Sequence, residues 1–151
     1  ADSLLFGSAL ANAETCVDIG SGVGLPGLPL AIVYPEVEFD LVDRSGRRCD
    51  LLRRMIAVLR LANCEIVHND IGHVDKRFDA IVSRAAIPHQ QILIHVKRLL
   101  RDTGAALIGH SWSSDEEPEM PLTPEGLLAT YVTVPADILD SAVRLLRISA
   151  A

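Results

Sequence analysis

The stretch that decides the fold is CVDIGSGVGLPGLP, residues 16–29, in which four glycines and two prolines directly follow a short apolar run. Glycine raises the entropic cost of folding and adds no side chain to a core. Such a cluster therefore indicates either a tight turn or a close approach of the backbone to a ligand. The preceding residues Thr15–Ile19 are apolar apart from Asp18, which predicts a buried parallel strand that ends at the loop.

The composition is that of one ordinary globular domain. The chain has 151 residues, of which 49% are hydrophobic and 23% are charged. No apolar run approaches the ~20 residues of a membrane helix, and the first residues lack the basic flank of a secretory signal. The cysteines Cys16, Cys49 and Cys64 form no C-x-x-C pair, and no histidines have metal-ligand spacing. These features predict a cytoplasmic protein with reduced thiols and no metal site.

Strand and helix patterns alternate along the chain. Strands are expected at residues 15–19, 37–43, 65–68, 78–83, 105–110, 127–134 and 142–148, and helices at residues 2–11, 28–33, 46–61 and 89–101. Gly104 is expected to end the last helix, and Asp50 to pair with Arg54 across one turn of the helix over residues 46–61. The alternation predicts an α/β sandwich around a mostly parallel sheet, closed by an antiparallel pair.

The glycine loop lies where an open α/β sheet binds its ligands, beyond the carboxyl ends of the strands. We expect its glycines to let main-chain N–H groups approach a polar or anionic ligand, next to the N-terminus of the following helix. Asp43 ends the second strand, and its carboxylate can accept hydrogen bonds from both hydroxyls of a ribose. Together these features predict a nucleoside-bearing cofactor.

The spacing of the glycines narrows the choice of cofactor. A dinucleotide fingerprint counted from Gly20 would place Leu25 where the third small residue belongs, and no G-K-[ST] follows as in a P-loop. The pattern is instead D-x-G-x-G-x-G, with Asp18, Gly20, Gly22 and Gly24. It resembles motif I of the class I S-adenosylmethionine-dependent methyltransferases. NAD binding and a tight turn without a ligand remain alternatives.

Three longer stretches carry a more specific resemblance: DIGSGVGLPGLPLAI (residues 18–32), LVDRSGRR (residues 41–48) and FDAIVSRA (residues 78–85). They resemble successive signatures of the glucose-inhibited division protein B family, the bacterial 16S ribosomal RNA guanine-N7 methyltransferases. The resemblance runs from Asp2 to the final hairpin. It implies a single domain with the class I fold, S-adenosylmethionine as cofactor, 16S rRNA or the small ribosomal subunit as partner, and a monomer.

The resemblance also implies roles for individual residues at the carboxyl ends of the strands. The implied cofactor residues are Asp18, Gly20, Ser21, Gly22, Gly24, Leu25, Asp43, Arg44, Asp70, Ile71, Gly72 and Arg84. Among them, the residues from Gly20 to Leu25 are implied to hold the methionine part, Asp43 the ribose, and Ile71 with Gly72 the adenine. Asp18 can instead order the glycine loop without touching the ligand. Arg84 matches an arginine associated with the cofactor and the active site, and His110 lies where the fifth strand opens into the site. Arg47 and Arg48 match a basic pair that can face RNA phosphate.

Structural alternatives stand beside two of these roles. Arg84 can instead pair with an acid such as Asp18, because a buried arginine needs a partner. The arginines around Arg47 and Arg48 can form a solvated helix face with local ion pairs, in a chain whose net charge is −6. Guanine N7 carries an exposed lone pair, so its methylation requires positioning rather than a general base.

The chain departs from the family pattern at three places. Gly72 stands where the family usually has an acid, and His110 with Ser111 stands where it usually has a Lys-Gly pair. The helices that normally precede Asp2 are absent, which predicts a truncated or divergent member. A small-molecule methyltransferase and a catalytically inactive cofactor-binding paralogue therefore remain alternatives to an rRNA methyltransferase.

Overall fold

The computed structural model describes residues 2–84, 87–109, 120–134 and 143–151, and the side chains of His89 and Val134 are not described. The strands within these residues are β1 (Thr15–Ile19), β2 (Glu38–Asp43), β3 (Cys64–His68), β4 (Phe78–Arg84), β5 (Leu100–Gly109), β6 (Leu127–Val134) and β7 (Val143–Ala150). The α-helices are α1 (Gly27–Val33), α2 (Gly46–Leu59) and α3 (His89–Leu99), and 3₁₀ helices cover Asp2–Ala9 and Ile71–His73.

All these strands form one sheet in the order β3-β2-β1-β4-β5-β7-β6. The pairs from β3 through β5 are parallel, whereas β7 lies antiparallel between β5 and β6. The chain leaves β1 for β2 on one side and returns to β4 on the other, so the strand order reverses beside β1. The expected mostly parallel sheet with a closing antiparallel pair is confirmed.

Two apolar layers cover the sheet. The first 3₁₀ helix, α1 and α2 pack on one face, and α3 packs on the other with the segment after β3. Successive residues of β1 serve the two layers in turn: Cys16 faces the first and Val17 the second, and both are fully buried. Asp18 follows on the side of α1, which places a carboxyl group inside the sandwich.

Several element boundaries differ from those expected, each for a local reason. Helix α2 ends at Leu59 rather than two residues later, because Arg60 adopts the left-handed conformation with φ 55°. Helix α3 passes directly into β5 at Leu100, so the expectation that Gly104 ends this helix is wrong. Gly104 lies within β5, where a Cβ would come 2.6 Å from the carbonyl oxygen of Asp79.

Two further expectations concern side chains and the first helix. Asp50 accepts from Arg53 at 2.8 Å rather than pairing with Arg54, so the ion pair spans three residues instead of four. The first helix is a 3₁₀ helix that ends at Ala9. Cys16, Cys49 and Cys64 are free thiols, as expected. In the part of the chain that is described, no helix has the length and apolar character to cross a membrane.

Candidate cofactor site

A cleft of about 400 Å³ opens at the carboxyl ends of β1, β2 and β3, beside the point where the strand order reverses. Its volume is within the usual range of small-molecule sites. The residues that line it are Ile19, Gly20, Val42, Asp43, Arg44, Ser45, Arg48, Asn69, Asp70, Ile71 and Ile87. Apolar side chains and a few converging polar groups thus share one concave surface.

The glycine loop folds back onto the end of β2 instead of presenting its amides outward. The amides of Gly20 and Ser21 donate to the carbonyl of Val42 at 2.9 and 3.1 Å, and that of Gly22 donates to Asp43 Oδ2 at 3.0 Å. The amide of Gly24 donates to Ser21 within the loop at 2.7 Å. The expectation that the loop amides face the ligand is therefore wrong for these four.

Glycine is needed in the loop for its backbone conformation. Gly20, Gly22 and Gly24 have φ values of 69°, 58° and 93°, a region that other residues enter only with strain. These turns bring the loop back to the tip of β2. The loop's contribution to the cleft is therefore a rigid edge, held against Asp43.

Asp43 combines deep burial with remaining capacity to accept hydrogen bonds. The residue is 4% exposed, and its Oδ1 accepts from the amide of Ser45 at 2.8 Å. Its Oδ2 accepts from Gly22 and lies 3.6 Å from Arg48 Nη1. Each carboxylate oxygen has two lone pairs, so both can still receive a donor from the cleft. This is the arrangement expected of an acid that holds a ribose.

Asp18 is fully buried and only partly satisfied. Its Oδ2 accepts from the amide of Gly27 at 2.9 Å, while its Oδ1 has no hydrogen-bond partner among the described residues. Burial raises the pKa of Asp18 to about 7, against the opposing effects of the Gly27 hydrogen bond and the Arg84 charge. An orphaned buried acceptor of this kind requires an explanation, and the proton that the raised pKa keeps on the carboxyl is one.

The segment after β3, residues 69–74, forms the third wall of the cleft. Ile71 is buried and faces it with Asp70, whose Oδ1 accepts from the amide of Gly72 at 2.8 Å. Gly72 itself is exposed and does not line the cleft. Of the three predicted cofactor residues in this segment, Asp70 and Ile71 therefore line the cleft, and Gly72 supports them.

The predicted arginines lie in three different places. Arg44 and Arg48 line the cleft, and Arg48 contacts Asp43, which the interpretation of Arg48 as an RNA-phosphate residue did not anticipate. Arg47 is exposed beside them on α2. Arg84 ends β4 and, with Leu25, lines a separate cleft of about 470 Å³.

Arg84 is exposed and, within the described residues, forms no ion pair with Asp18, although its charge lowers the pKa of that carboxyl. The structural alternative of a buried Arg84–Asp18 pair is therefore wrong. His110 lies outside the described residues. Ser45, Asn69 and Ile87 line the main cleft and were not singled out in the sequence. Their positions just beyond β2, β3 and β4 are the signal that could have identified them.

Comparison with known proteins identifies the family of the chain. The family model GidB, described as rRNA small subunit methyltransferase G, matches residues 1–122. "Ribosomal RNA small subunit methyltransferase G" of Chlorobaculum tepidum is 36% identical over 105 residues, which are 69% of this chain and 48% of that protein. The protein of the same name from Shewanella loihica is 34% identical over 89% of this chain and 66% of its own length.

Solved structures show the same fold. The mitomycin 7-O-methyltransferase MmcR covers 99% of this chain, and 52% of its own chain is matched, with a TM-score of 0.74 and 16% identity. PKMT2 of Rickettsia typhi in complex with AdoHcy covers 64% of this chain, and 20% of its own chain is matched, with a TM-score of 0.57 and 27% identity. The sheet has the class I methyltransferase fold, and the chain belongs to the GidB family of small-subunit rRNA methyltransferase G proteins.

Proposed function

We propose that this chain binds S-adenosylmethionine and methylates N7 of a guanine in 16S ribosomal RNA. The chain spans about half the length of the first curated relatives it matches, so their activity is transferred here as a proposal. The observation that carries it is the position of Asp43, buried at the tip of β2 with both oxygens still able to accept from the cleft.

The donors and acceptors of the cleft fit the proposed cofactor. Asp43 can receive the ribose hydroxyls, and Ile71 with Val42 offers apolar surface to the adenine. Asp18 is fully buried and does not line the cleft, so the proposed effect of the cofactor's ammonium group on its carboxyl is through charge. PKMT2 in complex with AdoHcy and a coclaurine N-methyltransferase bound to SAH show the demethylated cofactor in two similar folds. When bound, the cofactor supplies an activated methyl group on its sulfonium.

The remaining work of the chain is to position the two reactants. Guanine N7 has an exposed lone pair, and methyl transfer to it therefore depends on holding acceptor and donor in line. No base is needed to remove a proton before transfer. Asp43 and the wall at residues 69–74 fix the donor side, and Arg84 is the charged group at the tip of β4 from which an acceptor can be oriented.

Exposed cations around the cleft favour an RNA acceptor. Arg44 and Arg48 line the opening beside Asp43 and Asp70, and Arg47 extends the same surface, so three exposed arginines lie together here although the whole chain is acidic. RNA phosphates bind such groups with a strong dependence on salt. The proposed partner is 16S rRNA or the small ribosomal subunit. The chain is proposed to bind it as a monomer, in the cytoplasm.

Transfer of a labelled methyl group tests the proposal. The chain is incubated with methyl-labelled S-adenosylmethionine and 30S subunits that lack this modification, and the RNA is digested to nucleosides. Label in 7-methylguanosine supports the proposal, and Asp43→Ala should abolish it. Label in a metabolite extract alone would indicate a small-molecule methyltransferase. Cofactor binding without transfer would indicate an inactive paralogue.

A further inference from the structure

The guanidinium of Arg98 ties both ends of the 3₁₀ turn Ile71–His73 to helix α3. Its Nη2 donates to the carbonyl of Ile71 at 2.7 Å, and its Nη1 donates to the carbonyl of Val74. Nη1 also lies 3.6 Å from Asp75 Oδ1. One side chain therefore holds the carbonyl at each end of the turn, which we call the Arg98 clamp.

The clamped turn is also the wall of the cofactor cleft. Asn69, Asp70 and Ile71 line the cleft, and Ile71 and Val74 pack on their other side into the apolar layer of α3. Among the described strands, the adjoining strand β3 lies at the edge of the sheet and pairs only with β2. Strand pairing thus restrains this wall on one side. The contacts with α3 supply restraint on the other side.

We propose that Arg98 is a positioning residue for the cofactor, acting through the turn and not by touching the ligand. The inference rests on the proposed function, since it assigns the wall to cofactor binding. If the wall is correctly placed in only a fraction of the molecules, the apparent affinity equals the intrinsic affinity multiplied by that fraction. Loss of the clamp is therefore expected to reduce the free energy of cofactor binding by more than it reduces the free energy of unfolding.

Arg77 provides a matched control for this proposal. Its Nε and Nη2 donate to the carbonyl of Leu100 at 3.2 and 2.6 Å, and Nη2 pairs with Asp102 at 2.9 Å. Arg77 thus makes the same kinds of contact as Arg98, with one main-chain carbonyl instead of two and an exposed acid. It precedes β4, at the end of the sheet opposite the cleft. Its loss removes a comparable set of contacts without disturbing the cleft wall.

The test compares Arg98→Met, Arg98→Lys and Arg77→Met at a temperature where all are folded. Calorimetry measures affinity for S-adenosylhomocysteine, and amide hydrogen exchange of the free chains reports on residues 69–74. We expect Arg98→Met to raise the Kd about tenfold and to speed exchange in this segment. Arg98→Lys should recover part of both effects, and Arg77→Met should change neither.

Two results would overturn the inference. One is an unchanged Kd in Arg98→Met, and the other is an equal loss of affinity in Arg77→Met. If Arg98→Met does not fold, Arg98→Lys decides: one ammonium cannot hold both carbonyls, so the Kd of Arg98→Lys must exceed that of the parent chain, and an unchanged Kd would overturn the inference. A parent chain that binds no S-adenosylhomocysteine would instead refute the proposed function, whatever the exchange rates of the variants.

Discussion

The amide of Gly22 donates to Asp43 Oδ2 at 3.0 Å, joining the glycine loop to the tip of the neighbouring strand across 21 residues of sequence. The acid proposed to hold the ribose is therefore also the group that holds the loop in place. Its position is fixed before any ligand arrives, which reduces the ordering cost of binding. A change at Asp43 must accordingly affect both the loop and the affinity for the cofactor.

Asp43→Asn should lower the affinity for S-adenosylhomocysteine by a factor of about 10 to 100. The amide keeps one acceptor atom but replaces the other with a donor, which would oppose either the Gly22 or the Ser45 amide. Calorimetry measures the affinity. Asp50→Asn is the control, since it removes one acid from exposed helix surface. Equal affinities in Asp43→Asn and the parent chain would contradict the ribose assignment.

Asp18 gives a pH dependence whose sign follows from its raised pKa. The unfolded chain loses this proton near the ordinary value of 3.8, whereas the folded chain retains it until about pH 7. Between these values the unfolded state binds fewer protons, so the contribution of Asp18 to the free energy of unfolding falls as pH rises. Above pH 7 the contribution is constant.

Urea unfolding of the parent chain and of Asp18→Asn from pH 4 to pH 8 isolates this contribution. The free energy of unfolding of the parent should fall relative to the variant across the window, by an amount on the order of a few kcal/mol. Other acids titrate equally in both proteins and cancel. A difference that does not change with pH would show that the folded carboxyl titrates at its ordinary value.

Proton release on ligand binding provides a separate prediction for the same residue. The ammonium group of the cofactor should favour the ionised carboxyl and so lower the pKa of Asp18. Binding of S-adenosylhomocysteine near pH 7 should then release a fraction of a proton. Calorimetry in two buffers of different ionisation enthalpy measures this number, and Asp18→Asn should reduce it towards zero. An equal release from both proteins would assign it to another group.

Gly27→Ala should destabilise the protein by about 1–3 kcal/mol, because the added methyl group has no space. A Cβ at this position would lie 2.4 Å from Leu41 Cδ2 and 2.6 Å from Asp18 Oδ2. Gly46→Ala is the control, since its Cβ would meet only the ring of His68, at 3.2 Å. Thermal unfolding compares the two. Equal melting temperatures would mean that the α1–β1 contact can relax.

Much of the fold could be predicted because it depends on local pattern. The buried strand β1 and the apolar stripe of α2 lie within short stretches, and their starts were predicted to the residue. The direct passage from α3 into β5 was missed because Gly104 resembles a helix stop, and only its close contact with Asp79 explains it. That contact joins two strands and has no local sequence signal.

The position of the candidate site could be predicted from the sequence, but the contacts among its residues could not. Asp43 was identified because it ends a strand at the ligand-binding edge of the sheet, and Ile71 because the family resemblance implies adenine contacts after the third strand. The inward direction of the Gly22 amide and the Arg48–Asp43 contact depend on how the loop and α2 meet, which the motif does not encode. Arg98 was missed because a basic residue near the end of an amphipathic helix is typical of a solvated face.

Arg47→Ala should weaken binding to small-subunit rRNA and leave binding of S-adenosylhomocysteine unchanged. Arg47 is exposed on α2 beside the cleft but is not among the residues that line it. If it contacts one phosphate, the slope of log affinity against log salt should become shallower by about 0.7 to 0.9. Filter binding to 30S subunits between 50 and 200 mM salt, roughly the range over which such contacts weaken, measures the slope.

Arg60→Asn is the matched control for Arg47→Ala. It removes the same charge from just beyond the opposite end of α2, and asparagine tolerates the left-handed conformation found there, with φ 55°. Net charge changes equally in the two variants, so a general electrostatic effect would shift both slopes alike. A shallower slope in Arg47→Ala alone would place a phosphate at the cleft end of α2. Identical slopes would assign Arg47 to the solvated helix face.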